Sequence, residues 1–267
     1  MTTKIEWAQE TWNPITGCSK ISEGCQNCYA ERMAKRLAGR SGYPKADPFK
    51  VTFHPERLTQ PHKWKKPRMI FVCSMGDLFH EGVDPGWLTD VFGVMHRNPQ
   101  HTFILLTKRP ENVPAHKTWH RKNIWLGVTA ENQQRADERI PTLLKIPAAV
   151  RFVSVEPMLG PVLLTDMEGA DIYKRRWLED WIVPGGDGGG DTPGLDWVIC
   201  GGETGRGARL MAMGWARSLR DQCEAAQVPF FFKKRGEWWR KQFNTNPKHL
   251  SNRELDGRVY EQYPEVE

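Results

Sequence analysis

Short, predominantly apolar runs recur along the chain, separated by stretches in which apolar residues return every three or four positions. The runs are Met69–Cys73, Thr102–Leu106, Ile124–Val128, Val150–Val155, Trp197–Cys200 and Pro229–Phe232. Each has the length and composition of a strand buried on both faces. Gly86–Arg97, Arg109–His116, Glu131–Lys145 and Gly214–Ala226 carry the helical period between them. This alternation predicts βα units and a parallel sheet. Upstream, the pattern predicts a short strand at Ile5–Ala8, a turn at Trp12-Asn13-Pro14 and a helix at Tyr29–Ala38 closed by Gly39. A further strand is expected at Lys50–Phe53.

Polar clusters follow five of the runs: Ser74-Met75-Gly76-Asp77, Thr107-Lys108-Arg109, Thr129-Ala130-Glu131, Ser154-Val155-Glu156-Pro157 and Gly201-Gly202-Glu203-Thr204. A barrel gathers the carboxyl ends of its strands around one mouth, whereas an open sheet spreads them along a line. The expected fold is therefore α/β, a full or incomplete (β/α) TIM-type barrel of parallel strands. The 267 residues suit one domain, divided into a cysteine-bearing loop and helix (1–49), the βα core (50–235) and a basic C-terminal appendage (236–267). Trp181–Gly194, rich in glycine and proline, reads as an inserted loop.

Composition changes this picture in three ways. The chain carries no apolar run of membrane-spanning length and no apolar leader at its start, so a cytoplasmic protein with reduced thiols is expected. A net charge of +6 tilts the choice of partner toward nucleic acid or nucleotide. Two basic, tryptophan-bearing stretches, Lys63–Arg68 and Lys233–Lys241, fit the same class, with packing of their tryptophans as the alternative.

The strongest chemical signal is Cys18, Cys25 and Cys28, three of the six cysteines within eleven residues. Thiolates so placed are soft ligands for zinc, copper(I) or iron–sulfur clusters. A structural zinc site takes four protein ligands, and the remaining sources are Cys73, Cys200, Cys223 or a distant histidine such as His54 or His80. An iron–sulfur cluster on three cysteines instead keeps one iron open. At the strand ends, Lys108 and Arg109 suit a carboxylate or phosphate, or an ion-paired helix start. Glu156 and Glu203 suit a basic group or ribose hydroxyls, or hydrogen-bond anchoring, and Arg206 or Arg209 are alternative partners for Glu203.

A three-cysteine loop followed by a helix and a βα barrel resembles the radical S-adenosylmethionine (SAM) enzymes. Thr11-Trp12-Asn13-Pro14, the cysteine loop with Tyr29-Ala30-Glu31, Ser74–Phe79, Leu106–Pro110, Ser154–Pro157 and Gly201-Gly202-Glu203 further resemble a phage-associated three-cysteine-motif family. The resemblance implies a 4Fe–4S cluster on Cys18, Cys25 and Cys28, with SAM bound by residues among Ser74, Asp77, Thr107, Glu156, Gly201, Gly202 and Glu203. Asp77 is the candidate for its amino group. Catalytic candidates are Lys108, Arg109, Glu156 and Glu203. A flavodoxin- or ferredoxin-like reductant is implied, with nucleic acid or nucleotide as the leading substrate class and a further partner protein among the expected contacts. The chain departs from the commonest radical-SAM pattern in its six-then-two cysteine spacing and its late Gly-Gly-Glu. Two alternatives stand beside this reading: a zinc-stabilised nucleic-acid-binding protein, and a barrel hydrolase or nuclease with Asp77, Glu156 and Glu203 on a divalent metal.

Overall fold

The computed structural model describes residues 5–114, 119, 121–165, 178, 194–242 and 252–265. In chain order the strands are β1 (Glu10–Trp12), β2 (Ile15–Thr16), β3 (Thr52–Phe53), β4 (Met69–Val72), β5 (Thr102–Thr107), β6 (Ile124–Thr129), β7 (Val150–Val155), β8 (Trp197–Gly201), β9 (Phe230–Lys234), β10 (Glu254–Leu255) and β11 (Arg258–Val259). The helices are α1 (Tyr29–Arg36), α2 (Gln60–Lys63), α3 (Pro85–His96), α4 (Gln133–Leu144), α5 (Met213–Ala225) and α6 (Glu237–Gln242).

Seven strands pair side by side in the order β1-β4-β5-β6-β7-β8-β9, every pairing parallel. Sequential order with helices on one face is barrel winding rather than doubly wound winding. Alternation along the strands sorts their side chains into two layers. Phe103, Leu126, Val153, Val198 and Phe230 face outward with α3, α4 and α5. Ile104, Trp125, Phe152, Trp197, Ile199 and Phe231 face inward. Gly127 is glycine because a Cβ there would stand 2.4 Å from the Phe152 ring.

The sheet curls until its two edges flank one segment. Trp7, just ahead of β1, packs 4.7 Å from Phe71 on β4 and 6.3 Å from Trp197 on β8. Its neighbour Glu6 meets Lys234 of β9 at 3.0 Å. Among the described residues β1 and β9 do not pair, so of the full or incomplete barrel expected the sheet is the incomplete form, a curled half-barrel of seven parallel strands. These aromatic side chains fill the interior between the sheet edges, a fully buried ring contributing about 1.5–3 kcal/mol.

Several expected elements shift. Ile5–Ala8 is not a strand; the first strand is Glu10–Trp12, and Trp7 fills the interior instead. Lys50–Phe53 shortens to Thr52–Phe53, pairing antiparallel with β2 outside the main sheet. In place of a helix over Arg109–His116 there is a single 3-10 turn at Pro110–Asn112, and 115–118 lie outside the described residues. Proline lacks the amide that an interior helical position needs, which confines it to the first turn. The expected loop Trp181–Gly194 lies outside the described residues except for Gly194. The appendage lies along β9, where the Phe232 amide donates to the Tyr260 carbonyl and Phe231 bridges Glu261. Among the described residues no helix is long and apolar enough to cross a membrane.

Candidate functional site: a three-cysteine loop clamped by strand ends

The loop from Gly17 to Cys28 lies over the carboxyl ends of the strands, and four of those ends reach up to hold it. At the end of β4, Gly17 forms a bridge with Gly76, and its amide donates to the Met75 carbonyl at 2.9 Å. Both glycines are required by this approach. A Cβ on Gly76 would lie 2.7 Å from the Gly17 oxygen, and one on Gly17, at φ +91°, would lie 2.2 Å from the Lys50 oxygen. Asn13 adds a second tie, accepting from Ser74 Oγ at 3.2 Å and the Met75 amide at 2.9 Å.

The end of β5 supplies Arg109, 2% exposed. Its guanidinium donates to Cys18 Sγ at 3.4 Å, to the Ser19 carbonyl and hydroxyl at 3.1 and 2.8 Å, and to Glu81 at 2.8 Å. Asp77 fixes the fork from behind. Its carboxylate accepts from Thr107 Oγ1 at 2.8 Å, from the amides of Phe79 and Lys108, and from Arg109 at 3.4 Å. The planar guanidinium suits this many-armed role in a way a lysine ammonium does not.

The end of β6 supplies Glu131, fully buried. It accepts from Ser22 Oγ on one oxygen and from Arg139 of α4 at 2.8 Å on the other. Gly24 sits against it, where a Cβ would be 2.2 Å from Glu131 Oε1. Next along the loop, Glu23 accepts from Asn132 and from Arg135 at 2.9 Å. Its own backbone amide, then Arg135 and Asn132, hold its carboxyl down to about 2. The end of β8 supplies Glu203, which accepts from Asn27 at 3.0 Å and from Arg209 Nε at 2.9 Å. Arg209 in turn donates to the Glu23 carbonyl and to Gln26. Gly202 lies where a Cβ would meet the Arg235 oxygen at 2.3 Å.

The three thiols are free and half-buried. Burial, then the Asp77 carboxylate, push the Cys18 thiol up to about 11 against the pull of Arg109. Cys25 is moved the other way. Burial raises it, but the Lys108 ammonium and hydrogen bonds from the backbone of Ile21 and from Ser22 outweigh that and leave it below the usual thiol value. Cys28 caps α1, its sulfur accepting from the Glu31 amide at 3.5 Å. As donors the set suits a soft metal: three thiols on one loop, with Arg109 donating to Cys18 and the Lys108 charge acting on Cys25. Each sulfur makes a separate contact, and among the described residues no group of three or more His, Cys, Asp or Glu is close enough to hold a metal ion. Cys73, Cys200 and Cys223 are buried, and burial raises all three thiols. His54 bonds Thr16 Oγ1 at 2.8 Å, while His80 reaches the loop at Ser19 Oγ, 2.9 Å away.

Of the sequence candidates, Asp77, Thr107, Arg109 and Glu203 are thus engaged in holding the loop, and Ser74 bonds Asn13 just ahead of it; Gly202 passes close beneath the Arg235 backbone, and Gly201 lies against the Glu156 and Lys233 side chains. Glu156 and Lys108 are placed differently. Glu156 pairs with Lys233 of β9 at 2.9 Å. Lys108 has Glu131 as its nearest carboxylate, at 3.9 Å, and faces a cleft of about 320 Å³ lined also by Ile21, Arg135 and Arg139. Ser19, Ser22, Glu23, Arg135 and Arg139 also belong to the site, although no motif in the sequence marks them. Asn132, with an N-cap side chain accepting from the Arg135 amide at 3.0 Å, was the available signal for the α4 start that positions two of them. The tryptophans of the two basic stretches pack: Trp64 stands edge-on to His101 at 6.1 Å, and Trp239 Nε1 donates to the Met211 carbonyl.

A family model described as "Protein of unknown function (DUF5131)" matches residues 2–264, so the chain belongs to that family. No curated protein and no solved structure matches it.

Proposed function

We propose that this member of the DUF5131 family is an iron–sulfur enzyme of the radical-SAM type, with Cys18, Cys25 and Cys28 as the cluster ligands. The observation that carries the reading is the clamped loop. Four strand ends with buried, fully engaged polar side chains fix a segment whose only distinctive chemistry is three soft donors. When bound, a three-cysteine 4Fe–4S cluster with SAM supplies one-electron cleavage of the sulfonium to methionine and a 5′-deoxyadenosyl radical that takes a hydrogen atom from substrate.

The chain's own residues then have distinct tasks. Asp77 and Glu203 are positioning residues that orient Arg109 and Arg209 against the loop. Arg109 donates toward Cys18 and offsets part of the burial and Asp77 charge that hold its thiol up. Lys108 favours the Cys25 thiolate through space. Glu156 and Lys233, at the ends of β7 and β9, are the ionic pair left to meet the cofactor or substrate. A flavodoxin- or ferredoxin-like protein is the electron source in this reading.

The hydrolase alternative asks Asp77, Glu156 and Glu203 to converge on one ion. Each is instead matched with its own cation: Arg109, Lys233 and Arg209 respectively. The zinc alternative is separated by experiment. Protein purified without oxygen, reduced and given SAM is expected to release 5′-deoxyadenosine. A colourless protein carrying one zinc and yielding none contradicts the proposal.

A further inference from the structure

Residues 18–50, the cysteine loop with α1 and the segment after it, carry seven Lys and Arg against three Asp and Glu. That is a net +4 of the chain's +6 in about one eighth of its length. Exposure sharpens the imbalance. Lys20, Lys35, Arg36, Arg40, Lys45 and Lys50 are exposed, and Asp47 is the one exposed acid of the segment. Lys20 and Lys35 share Glu31 at 3.0 and 2.6 Å. Among the described residues Arg36, Arg40, Lys45 and Lys50 enter no ion pair.

One aromatic ring stands in this field. Tyr29 is 59% exposed, an unusual state for a large ring on a helix that buries Ala30 and Ala34. It occupies the first position of α1, directly after Cys28, and three- and seven-residue spacing puts Arg32 and Arg36 on its face of the helix. We infer that this surface docks a single-stranded nucleic acid, with Arg36 and Arg40 on phosphates and a base stacked on Tyr29. The inference deepens the proposed function by naming the substrate class, and rests on it only for the chemistry that would follow docking.

A nucleic-acid strand fits better than an acidic protein. Ile21 and Tyr29 are the only exposed large hydrophobic residues in the segment. A protein partner needs a desolvated apolar centre within some 800 Å² per side, which two residues do not make. An anionic strand needs only cations spaced along its backbone and a face for stacking. The two stretches that composition alone favoured are less suited. Their Trp64 and Trp239 pack within the fold, and Lys233 and Lys234 are paired with Glu156 and Glu6.

The test is fluorescence anisotropy of labelled single-stranded DNA and RNA of about 15 nucleotides, from roughly 50 to roughly 200 mM salt. The wild-type chain is expected to bind with an affinity that falls as salt rises. Arg36→Glu with Arg40→Glu should weaken binding more than about tenfold and flatten the salt dependence by about 1.4 in log–log slope, the share of two phosphates on a single strand. Tyr29→Ala should cost about tenfold with the slope kept, as loss of stacking without loss of charge. Lys65→Glu with Lys66→Glu is the control and should change little. The inference fails if the wild type binds no oligonucleotide at the lowest salt, if the Tyr29 and Arg36/Arg40 variants bind as the wild type does, or if polyglutamate competes as well as the strand. Iron content of the same preparations separates the two readings. Iron without binding overturns the docking surface alone, and α1-dependent binding without iron overturns the iron–sulfur reading alone.

Discussion

The carboxyl ends of β4, β5, β6 and β8 and those of β7 and β9 are built from the same residue types and put to different uses. At the first four, a buried carboxylate, arginine or glycine pair faces upward and grips the cysteine loop. At the other two, Glu156 and Lys233 face each other, with Glu6 3.8 Å from the ammonium, and take no part in the loop. A polar strand end in a half-barrel is therefore not by itself a substrate-facing group. Burial and partner identity decide: Glu131 and Asp77 are closed off by the loop they hold, while Glu156 and Lys233 remain part-exposed.

The largest effect is expected at the most buried clamp. Glu131→Ala removes the partner of Arg139, whose side chain is 5% exposed, and releases Ser22. Breaking a buried pair in this way costs about 3–5 kcal/mol, to be read by urea unfolding. In metal-free protein the loop thiols should also react faster with a disulfide reagent, while Cys73, Cys200 and Cys223 stay protected until unfolding. Unchanged labelling would mean that the loop does not depend on β6. Arg109→Lys comes next. It keeps the charge beside Asp77 but cannot reach Cys18, Ser19 and Glu81 together, and about 1–3 kcal/mol is expected.

The pH dependence sharpens the same contrast. The folded Glu23 carboxyl, at about 2, lies below its ordinary value of 4.5, so between those values the unfolded chain binds the extra proton. Its stabilisation is present above 4.5 and is lost as pH falls toward 2. Glu23→Gln should flatten the acid limb of the stability profile, measured by denaturation at a series of pH values. The smallest effect belongs to the pair that grips nothing. Glu156→Gln should change stability by less than about 1 kcal/mol and leave loop thiol labelling unaltered. Accelerated labelling there would erase the distinction between the two sets of strand ends.

Much of the frame is legible in the sequence because strands buried on both faces must be short apolar runs. Six of the seven sheet strands announce themselves this way. β1 does not: Glu10-Thr11-Trp12 holds one apolar residue in three, and the apolar signal just upstream belongs to Trp7, which plugs the interior. The cysteine loop is legible because soft donors at close spacing have few other uses. Its clamps are not, since they join residues far apart in the chain. Arg109 reaches Cys18 across 91 positions and Arg209 reaches the Glu23 carbonyl across 186. Glu203–Arg209 is the exception, six residues apart and foreseeable as an alternative to ligand binding.

In the proposed function the clamped loop holds a metal cluster on three thiols. Iron and acid-labile sulfide, measured in protein purified without oxygen, test it most directly beside the Cys25→Ala and Cys223→Ala variants. About four irons per chain and a broad absorbance at ~400 nm are expected in the wild type and in Cys223→Ala, with both lost in Cys25→Ala. Wild-type protein without iron, or a Cys25→Ala variant that keeps it, would rule out a cluster on these thiols.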